Sequence, residues 1–283
     1  MLSLHTNNAA LSAQSSLTKT QASLSTSMTR LSTGYRINSA QDDAAGLQIA
    51  SRLKAQSSGM AVAMRNTQNA TSMLQTADGA LDEVSNMLIR MKDLATQAAD
   101  SSSTADDKTA MQSEYDALGK ELGNVLKNTS FGGKTLMVGG TIASAMTFQI
   151  GASSSETMSV DLSTDMSSVV TNVSSAAANY SAATTGTELT SSANATIGSL
   201  DTALASVNKV RSGLGAAANR LDHVYNNLSN ISTNTKAATG LIMDVDFATE
   251  SSNMTSSQML MQAGTAMLKQ TNSMSSMVMS LLQ

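Results

Sequence analysis

The sequence predicts a mainly α-helical protein: an elongated antiparallel coiled-coil rod with a small β-hairpin region in the middle of the chain. Three observations lead to this prediction. The 283 residues include no proline, so the commonest helix breaker is absent. Aromatic residues make up 2% of the chain, which argues against a thick globular core. Apolar residues recur at alternating intervals of three and four, which is the spacing of a coiled-coil seam.

The longest helical pattern covers residues 42–99. At ~1.5 Å per residue such a helix extends about 87 Å, far beyond the ~19 Å radius of gyration of a compact domain of this length. We therefore expect a rod. The apolar positions of the pattern keep one frame, in which Gln56 and Thr67 fill two polar slots: Ile49, Leu53, Met60, Ala63, Ala70, Leu74, Ala77, Leu81, Val84, Leu88, Met91, Ala95 and Ala98.

A further helix is predicted to start at Thr104, because Thr104 and Asp107 have the spacing of a capping box. Gly132 and Gly133 follow its expected end. Residues 145–163 contain two short alternating segments separated by small polar residues, and this predicts a β-hairpin with one buried face. Residues 164–192 are rich in Ser, Thr and Ala with little periodicity, so we expect a short, variable, exposed connection there. Helical spacing returns after residue 193.

Both ends of the chain carry narrow apolar stripes. Residues 1–40 contain three basic and no acidic residues, whereas residues 241–283 contain three acidic residues and one basic residue. We expect the two ends to pair, and to become ordered only when they pack against other copies of the chain. The predicted self-assembly residues are Leu17, Leu24, Met28, Leu31, Leu260, Met267, Met274, Val278 and Leu281.

These patterns predict three regions. A terminal coiled-coil domain comprises residues 1–40 and 244–283. A helical rod domain comprises residues 41–163, with the hairpin at about 145–163, and residues 193–243. The exposed connection at 164–192 joins the two parts of the rod domain.

The sequence contains no residue pattern typical of a catalytic, cofactor-binding or metal site, and we predict none. The chain has no cysteine, and neither His5 nor His223 has a ligand partner at metal spacing. Asp42 and Asp43 are better explained as carboxylates at the start of the long helix, capped by Ser39, than as an acid–base pair. Asp244 and Asp246 are expected to start the last helix in the same way.

Charge and hydropathy exclude two kinds of partner. The net charge is −4 and the sequence pI is about 5.1, whereas nucleic-acid binding needs a basic patch or stripe. No stretch approaches the ~18 continuous apolar residues of a transmembrane helix, so we expect no membrane insertion. The first residues also lack the basic and apolar regions of a Sec-type signal peptide.

Longer motifs at both ends resemble those of one protein family. Residues 31–46 read LSTGYRINSAQDDAAG, and residues 75–81 and 128–134 read QTADGAL and NTSFGGK. Near the C-terminal end, residues 214–220 read LGAAANR and residues 262–265 read QAGT. Together these motifs resemble bacterial flagellins, and the short middle region resembles the compact, lateral-type members.

The resemblance implies a function. The chain would be a structural subunit, not an enzyme, that self-assembles through its N- and C-terminal helices into the helical filament of the bacterial flagellum and serves motility. It would be exported through the flagellar type III apparatus and be secreted and extracellular. Its other partners would be an export chaperone at the C-terminal helix and a filament cap protein.

The resemblance also implies an innate-receptor contact. Arg90 and Leu94 match the family's motif for binding a Toll-like receptor, and Glu114 occupies its supporting position. Two alternative functions remain open at this point. One is a hook–filament junction protein, which shares flagellin-like ends, and the other is a coiled-coil signalling hairpin.

Overall fold

The structure is a computed structural model that describes residues 7–180 and 185–281, with side chains as far as Met274. The chain divides into two compact units. One comprises Met1–Ser57 and Thr233–Gln283, and the other comprises Ser58–Ser232. These divisions fall within the long helices and not at residues 40 and 243, where the sequence analysis separated the domains. The predicted mainly α-helical fold with a small β-hairpin is confirmed.

Seven α-helices occur in the described residues. They are α1 (Asn8–Thr33), α2 (Ala44–Ala99), α3 (Ala105–Asn128), α4 (Ser163–Ala176), α5 (Glu188–Ser191), α6 (Ala193–Met243) and α7 (Phe247–Leu281), with a 3₁₀ turn at Ala178–Tyr180.

Two antiparallel hairpins lie between α3 and α4. Strands β1 (Ser130–Phe131) and β2 (Lys134–Thr135) form the first, and β3 (Met146–Gln149) pairs with β4 (Thr157–Val160) in the second. The second confirms the predicted hairpin, with Met146, Met158 and Val160 on its buried face. The first was not predicted. Its turn is formed by Gly132 and Gly133 at φ 58° and 82°, the left-handed conformation of a two-residue hairpin turn.

The core of the Ser58–Ser232 unit is built on the predicted apolar frame of α2. From Met60 to Ala98 every position of that frame is buried, including the polar Thr67. The Thr67 hydroxyl donates to the carbonyl of Ala63 at 2.8 Å, which satisfies it inside the helix. Most of this frame joins one hydrophobic cluster with side chains from other helices, among them Tyr115, Leu122 and Leu126 of α3 and Leu200, Val207, Leu214 and Leu221 of α6.

The predicted frame is wrong at the start of α2. Ile49 is 41% exposed, and Gln56 is exposed as well. Ala50 and Ser57 are buried instead. The buried positions therefore step from residue 57 to 60 to 63 in two intervals of three, and such a step shifts the register of a seam. The predicted frame continues unchanged through this step.

The prediction of an exposed connection at 164–192 was also wrong. Helix α4 buries Met166, Val169 and Val173, and Leu189 of α5 is buried too. These residues join the same hydrophobic cluster as α2 and α3. The apolar positions of α4 do have helical spacing, but most of the residues around them are Ser, Thr and Asn, so the composition of the segment concealed its periodicity.

A buried polar network fastens this segment to α3. The side-chain amide of Gln112 donates to Asp116 Oδ1 at 2.7 Å and to Glu188 Oε2 at 2.8 Å. Its oxygen accepts from the backbone N–H of Leu189 at 2.7 Å. Because buried polar groups are costly unless they are paired, this network specifies where α5 lies against α3.

Carboxylates begin the helices as predicted, but at two helices the capping residue differs from the predicted one. The capping box of Thr104 and Asp107 is confirmed. Helix α2 is capped by Asp43 and not by Ser39: Asp43 Oδ1 accepts from the N–H of Gly46 at 2.8 Å, and Ser39 instead bonds to Asp42.

The start of α7 follows the same pattern. Asp246 begins this helix by accepting from the N–H of Ala248 at 3.0 Å. Asp244 does not open α7, because its N–H still donates to Gly240 at the end of α6.

Candidate self-assembly surface

Helices α1 and α7 pack against each other along a heptad seam. On α1 the seam positions are partly or fully buried: Ala10, Ala13, Leu17, Thr20, Leu24, Ser27 and Leu31. On α7 they are Glu250, Met254, Ser257, Met261, Gly264, Leu268 and Thr271. Both sets alternate between intervals of three and four, which is the pattern of knobs-into-holes packing. We call these two sets the terminal seam.

The terminal seam is narrow because small and polar residues fill every second position of it. Leu17 packs where Gly264 leaves room: a Cβ added at Gly264 would lie 3.1 Å from Leu17 Cδ1. Ser27 is the buried residue of α1. A seam that alternates Leu or Met with Gly, Ser and Thr buries little apolar area, so it holds two helices together weakly.

Polar contacts fix the register of this seam. The guanidinium of Arg30 lies 3.7 Å from the carboxylate of Glu250, which is buried in the seam. At the other end, the Asn7 side-chain amide donates to the carbonyl of Thr271 at 3.3 Å. A buried charge that loses its partner is costly, so the Arg30–Glu250 pair opposes a shift of α1 along α7.

The segments that lead into the two helices are also joined. Gly34 ends α1 at φ 75°, and its carbonyl accepts from the N–H of Val245 at 3.0 Å. The N–H of Arg36 donates to the carbonyl of Met243 at 2.6 Å, and its guanidinium donates to the carbonyl of Ile242 at 2.8 Å. The predicted pairing of the two chain ends therefore extends from the helices into the loops beside them.

The structure divides the predicted self-assembly residues into two groups. Leu17, Leu24 and Leu31 lie in the terminal seam. The others with described side chains are exposed: Met28 by 49%, Leu260 by 58%, Met267 by 63% and Met274 by 59%. Val278 and Leu281 belong to α7, but their side chains lie outside the described residues.

Helix α7 consequently has two apolar stripes. Met254, Met261 and Leu268 face α1, and the sequence analysis missed them. Leu260, Met267 and Met274 lie on an adjacent exposed face; we call these three residues the outer stripe. Both stripes repeat every seven residues. A search for two interleaved heptads would have found both, whereas a search for one seam found only the outer stripe.

The residues of the predicted receptor contact are only partly accessible. Arg90 and Glu114 are exposed and form an ion pair, with Arg90 Nη2 2.7 Å from Glu114 Oε1. Leu94 is 3% exposed and belongs to the hydrophobic cluster. Its prediction as a contact residue is therefore wrong for the folded chain, because its position in α2 faces the core.

No other chemistry gathers in the described part of the chain. There, no three His, Cys, Asp or Glu side chains lie close enough together to hold a metal ion. His223 is exposed on α6, and His5 lies outside the described residues. None of the helices in the described ranges combines the length and the apolar character that a membrane crossing requires.

Paired terminal helices with an exposed apolar stripe beside them indicate a structural protein built for association. Two family models match the sequence of the chain. The bacterial flagellin N-terminal helical region matches residues 4–143, and the bacterial flagellin C-terminal helical region matches residues 197–282. The chain belongs to the bacterial flagellin family. This membership argues against the signalling hairpin. The residues between the two matches contain β3, β4, α4 and α5.

Relatives agree with the family models over part of their length. Polar flagellin F of Vibrio parahaemolyticus is 48% identical over 161 residues, which are 57% of this chain and 42% of that protein. The chain therefore spans less than half of that relative. A crystal structure of Bacillus cereus flagellin is 32% identical, with 62% of this chain and 94% of that one covered at a TM-score of 0.48.

A third comparison concerns the fold alone. A structure described as a flagellar hook-associated protein from Vibrio parahaemolyticus has a TM-score of 0.58 and covers 71% of this chain and 99% of that one. The sequence identity is 18%, so the likeness reports a shared helical architecture.

Proposed function

We propose that this chain is the structural subunit of a bacterial flagellar filament and that it polymerises through its terminal helices to serve motility. Family membership supports this proposal, and the observation that carries it is the outer stripe. Leu260, Met267 and Met274 form an exposed apolar stripe on a helix whose other apolar stripe already packs against α1.

A fibre requires the outer stripe to meet a different surface on the next copy, because a heterologous contact that does not close produces an open helical assembly. Family membership favours this arrangement over a closed dimer in which two outer stripes pair with each other. Burying one Leu or Met side chain contributes about 1.5–3 kcal/mol. Three such side chains on every subunit offset a large part of the cost of association.

Ordering of the ends is the second part of the mechanism. The terminal seam is narrow, and isolated helices of this kind are marginal in water. We expect the backbone amides of α1 to exchange quickly with solvent in the free chain and slowly in the filament. Equal, strong protection of these amides in the dilute monomer would contradict this part of the proposal.

Electron microscopy after seeding or salting-out tests the proposal directly, with one pair of matched variants. Met267→Glu places a carboxylate in the outer stripe. Gln258→Glu places the same group on the opposite, exposed face of α7, about two and a half turns away at 3.6 residues per turn. Both positions are exposed in the monomer, so neither change disturbs the fold. We expect filaments from Gln258→Glu and none from Met267→Glu.

The fold likeness to a hook-associated protein keeps the junction protein as a second candidate. Seeded growth separates the two. A filament subunit elongates seeds without limit while monomer remains, whereas a junction protein adds to a seed and stops.

We also propose that the chain is exported from the cell and is extracellular. We expect secretion through the flagellar type III apparatus, with a chaperone on α7 before export and a cap protein at the growing tip. The exposed outer stripe supports the chaperone proposal, because an apolar face of this kind is an aggregation hazard until it is covered. Immunoblots of the culture medium from strains with and without a working export apparatus measure the secretion.

For the innate receptor, we propose a contact limited to Arg90 and Glu114. These side chains are exposed and already paired, which fixes the guanidinium on the surface of α2. Arg90→Ala is expected to reduce signalling in a receptor reporter assay, and Lys120→Ala on the exposed face of α3 is the control. An unchanged response to Arg90→Ala removes this proposal.

A further inference from the structure

Methionine is the sulfur-containing residue of this chain, which has 20 Met and no Cys. The described methionines differ widely in exposure. Met91, Met137 and Met166 are fully buried, whereas Met267 and Met274 of the outer stripe are more than half exposed. Oxidation of a thioether follows its accessibility, so an oxidant reaches the outer stripe long before it reaches the core.

We propose that Met267 and Met274 form an oxidation-sensitive modification site that controls whether a subunit can assemble. This inference rests on the proposed function. Conversion of either thioether to a sulfoxide makes the outer stripe polar while the fold remains intact. Oxidised subunits are therefore folded but unable to join a filament, and reduction of the sulfoxide restores them.

The chemistry requires a peroxide as the oxidant. The thioether sulfur attacks one oxygen of hydrogen peroxide, the O–O bond breaks, a sulfur–oxygen bond forms and water leaves. The sulfur is oxidised by two electrons and the peroxide is reduced. Methionine sulfoxide reductases reverse the change with electrons from a dithiol, one enzyme for each sulfoxide epimer.

The geometry confines the effect to assembly. Met254 and Met261 lie on the same helix but face α1 in the terminal seam, where they are partly covered. Met267 and Met274 are seven residues apart on one face and have no such cover. Moderate oxidation therefore changes the surface that meets another copy before it changes the pairing of α1 with α7.

The same geometry predicts protection by the polymer. Once the outer stripe is buried between subunits, its sulfur atoms are as inaccessible as those of the core. Oxidation of finished filaments should then be slow at Met267 and Met274. The control point is the free subunit, before a chaperone or another copy covers these residues.

The experiment treats the full-length monomer with increasing hydrogen peroxide and measures two quantities. Peptide mass spectrometry gives the order of oxidation, and seeded elongation gives the critical concentration for growth. We expect Met267 and Met274 to oxidise before Met261 and well before Met91. We also expect the critical concentration to rise by about tenfold or more, because a lost apolar contact of one side chain changes an association constant by at least that factor.

Variants assign the effect to these residues. The double variant Met267→Leu, Met274→Leu keeps the volume and apolar character of the outer stripe and should grow normally after peroxide. Met261→Leu in the terminal seam is the matched control and should remain sensitive. Treatment of oxidised wild type with both reductases should restore growth.

Each result is decisive. Elongation that is unchanged after complete oxidation of Met267 and Met274 overturns the inference, and so does a double variant that is as sensitive as the wild type. Failure of the untreated wild type to elongate seeds is a different result: it overturns the proposed function itself.

Discussion

Tyr115 of α3 offers a sharp test of the buried hydrogen bond that joins α3 to the end of α4. Its ring is buried in the core, with 1% of the residue exposed, and its hydroxyl donates to the carbonyl of Ala176 at 2.5 Å. Burial raises the pKa of the Tyr115 phenol above its ordinary value of about 10, and the nearby carboxylates of Glu188 and Asp116 raise it further. The neutral phenol is therefore favoured in the folded chain.

The sign of the pH effect follows from proton binding. Above pH ~10 the unfolded chain loses the Tyr115 proton while the folded chain keeps it, so the free energy of unfolding falls as the pH rises, by about 1.4 kcal/mol per pH unit for this one group. Tyr115→Phe removes the hydrogen bond and leaves the buried Ala176 carbonyl without this donor, which costs about 1–3 kcal/mol near neutral pH. The variant has no phenol at this position, so its free energy of unfolding does not fall in alkali through this group.

Wild type and variant should therefore converge in alkali. The difference in unfolding free energy between them is expected to shrink by about 1.4 kcal/mol per pH unit above pH ~10 and to be small one or two units higher. Urea unfolding followed by far-UV circular dichroism, from neutral pH to about pH 11, measures this difference. Tyr35→Phe is the control, because the Tyr35 side chain is half exposed. A difference for Tyr115→Phe that stays constant across this range refutes the reasoning.

Three further predictions concern the helix starts and the chain end. Asp43→Ala removes the cap of α2 and should lower the unfolding free energy by about 1 kcal/mol in urea titrations; no change would show that the cap is dispensable. Hydrogen bonds from Thr104 lower the pKa of Asp107, so this cap stabilises α3 above pH ~4 and is lost as the pH falls through the lowered pKa. Circular dichroism of the wild type should therefore show a loss of helix in acid. In Asp107→Asn the helix content should depend less on pH in this range. Deletion of residues 244–283 should leave the Ser58–Ser232 unit folded by circular dichroism but yield no filaments by electron microscopy, and filaments of normal length would contradict the assembly mechanism.

The sequence was sufficient to predict buried positions where the apolar residues keep regular intervals of three and four. On α2 every predicted frame position from Met60 to Ala98 is buried, whereas Ser85 and Leu94 are buried outside that frame. It was insufficient near Ile49, because two successive intervals of three shift the seam and a β-branched residue was left on the exposed side. The burial of Ala50 and Ser57 in the folded chain identifies them as the core-facing positions.

Composition misled the analysis of α4 for a related reason. Met166, Val169 and Val173 have the spacing of a helix, but most of the residues around them are Ser, Thr and Asn, which are typical of connections. The partners of this segment come from distant parts of the chain: the Tyr115 hydroxyl donates to the carbonyl of Ala176 at the end of α4, and the Gln112 side chain accepts from the N–H of Leu189 in α5. Such long-range contacts have no local signal in the sequence.

Long-range contacts also decide which apolar residues of α7 are covered within the chain and which are exposed. A helix with one apolar stripe satisfies one neighbour, whereas α7 has to satisfy α1 within the chain and, in the proposed filament, a second copy. Methionine suits this double task because its unbranched, polarisable side chain packs in irregular surroundings. A Leu-rich outer stripe would assemble as well but resist oxidation, so in the proposed mechanism methionine at positions 267 and 274 is what makes the free subunit sensitive to peroxide.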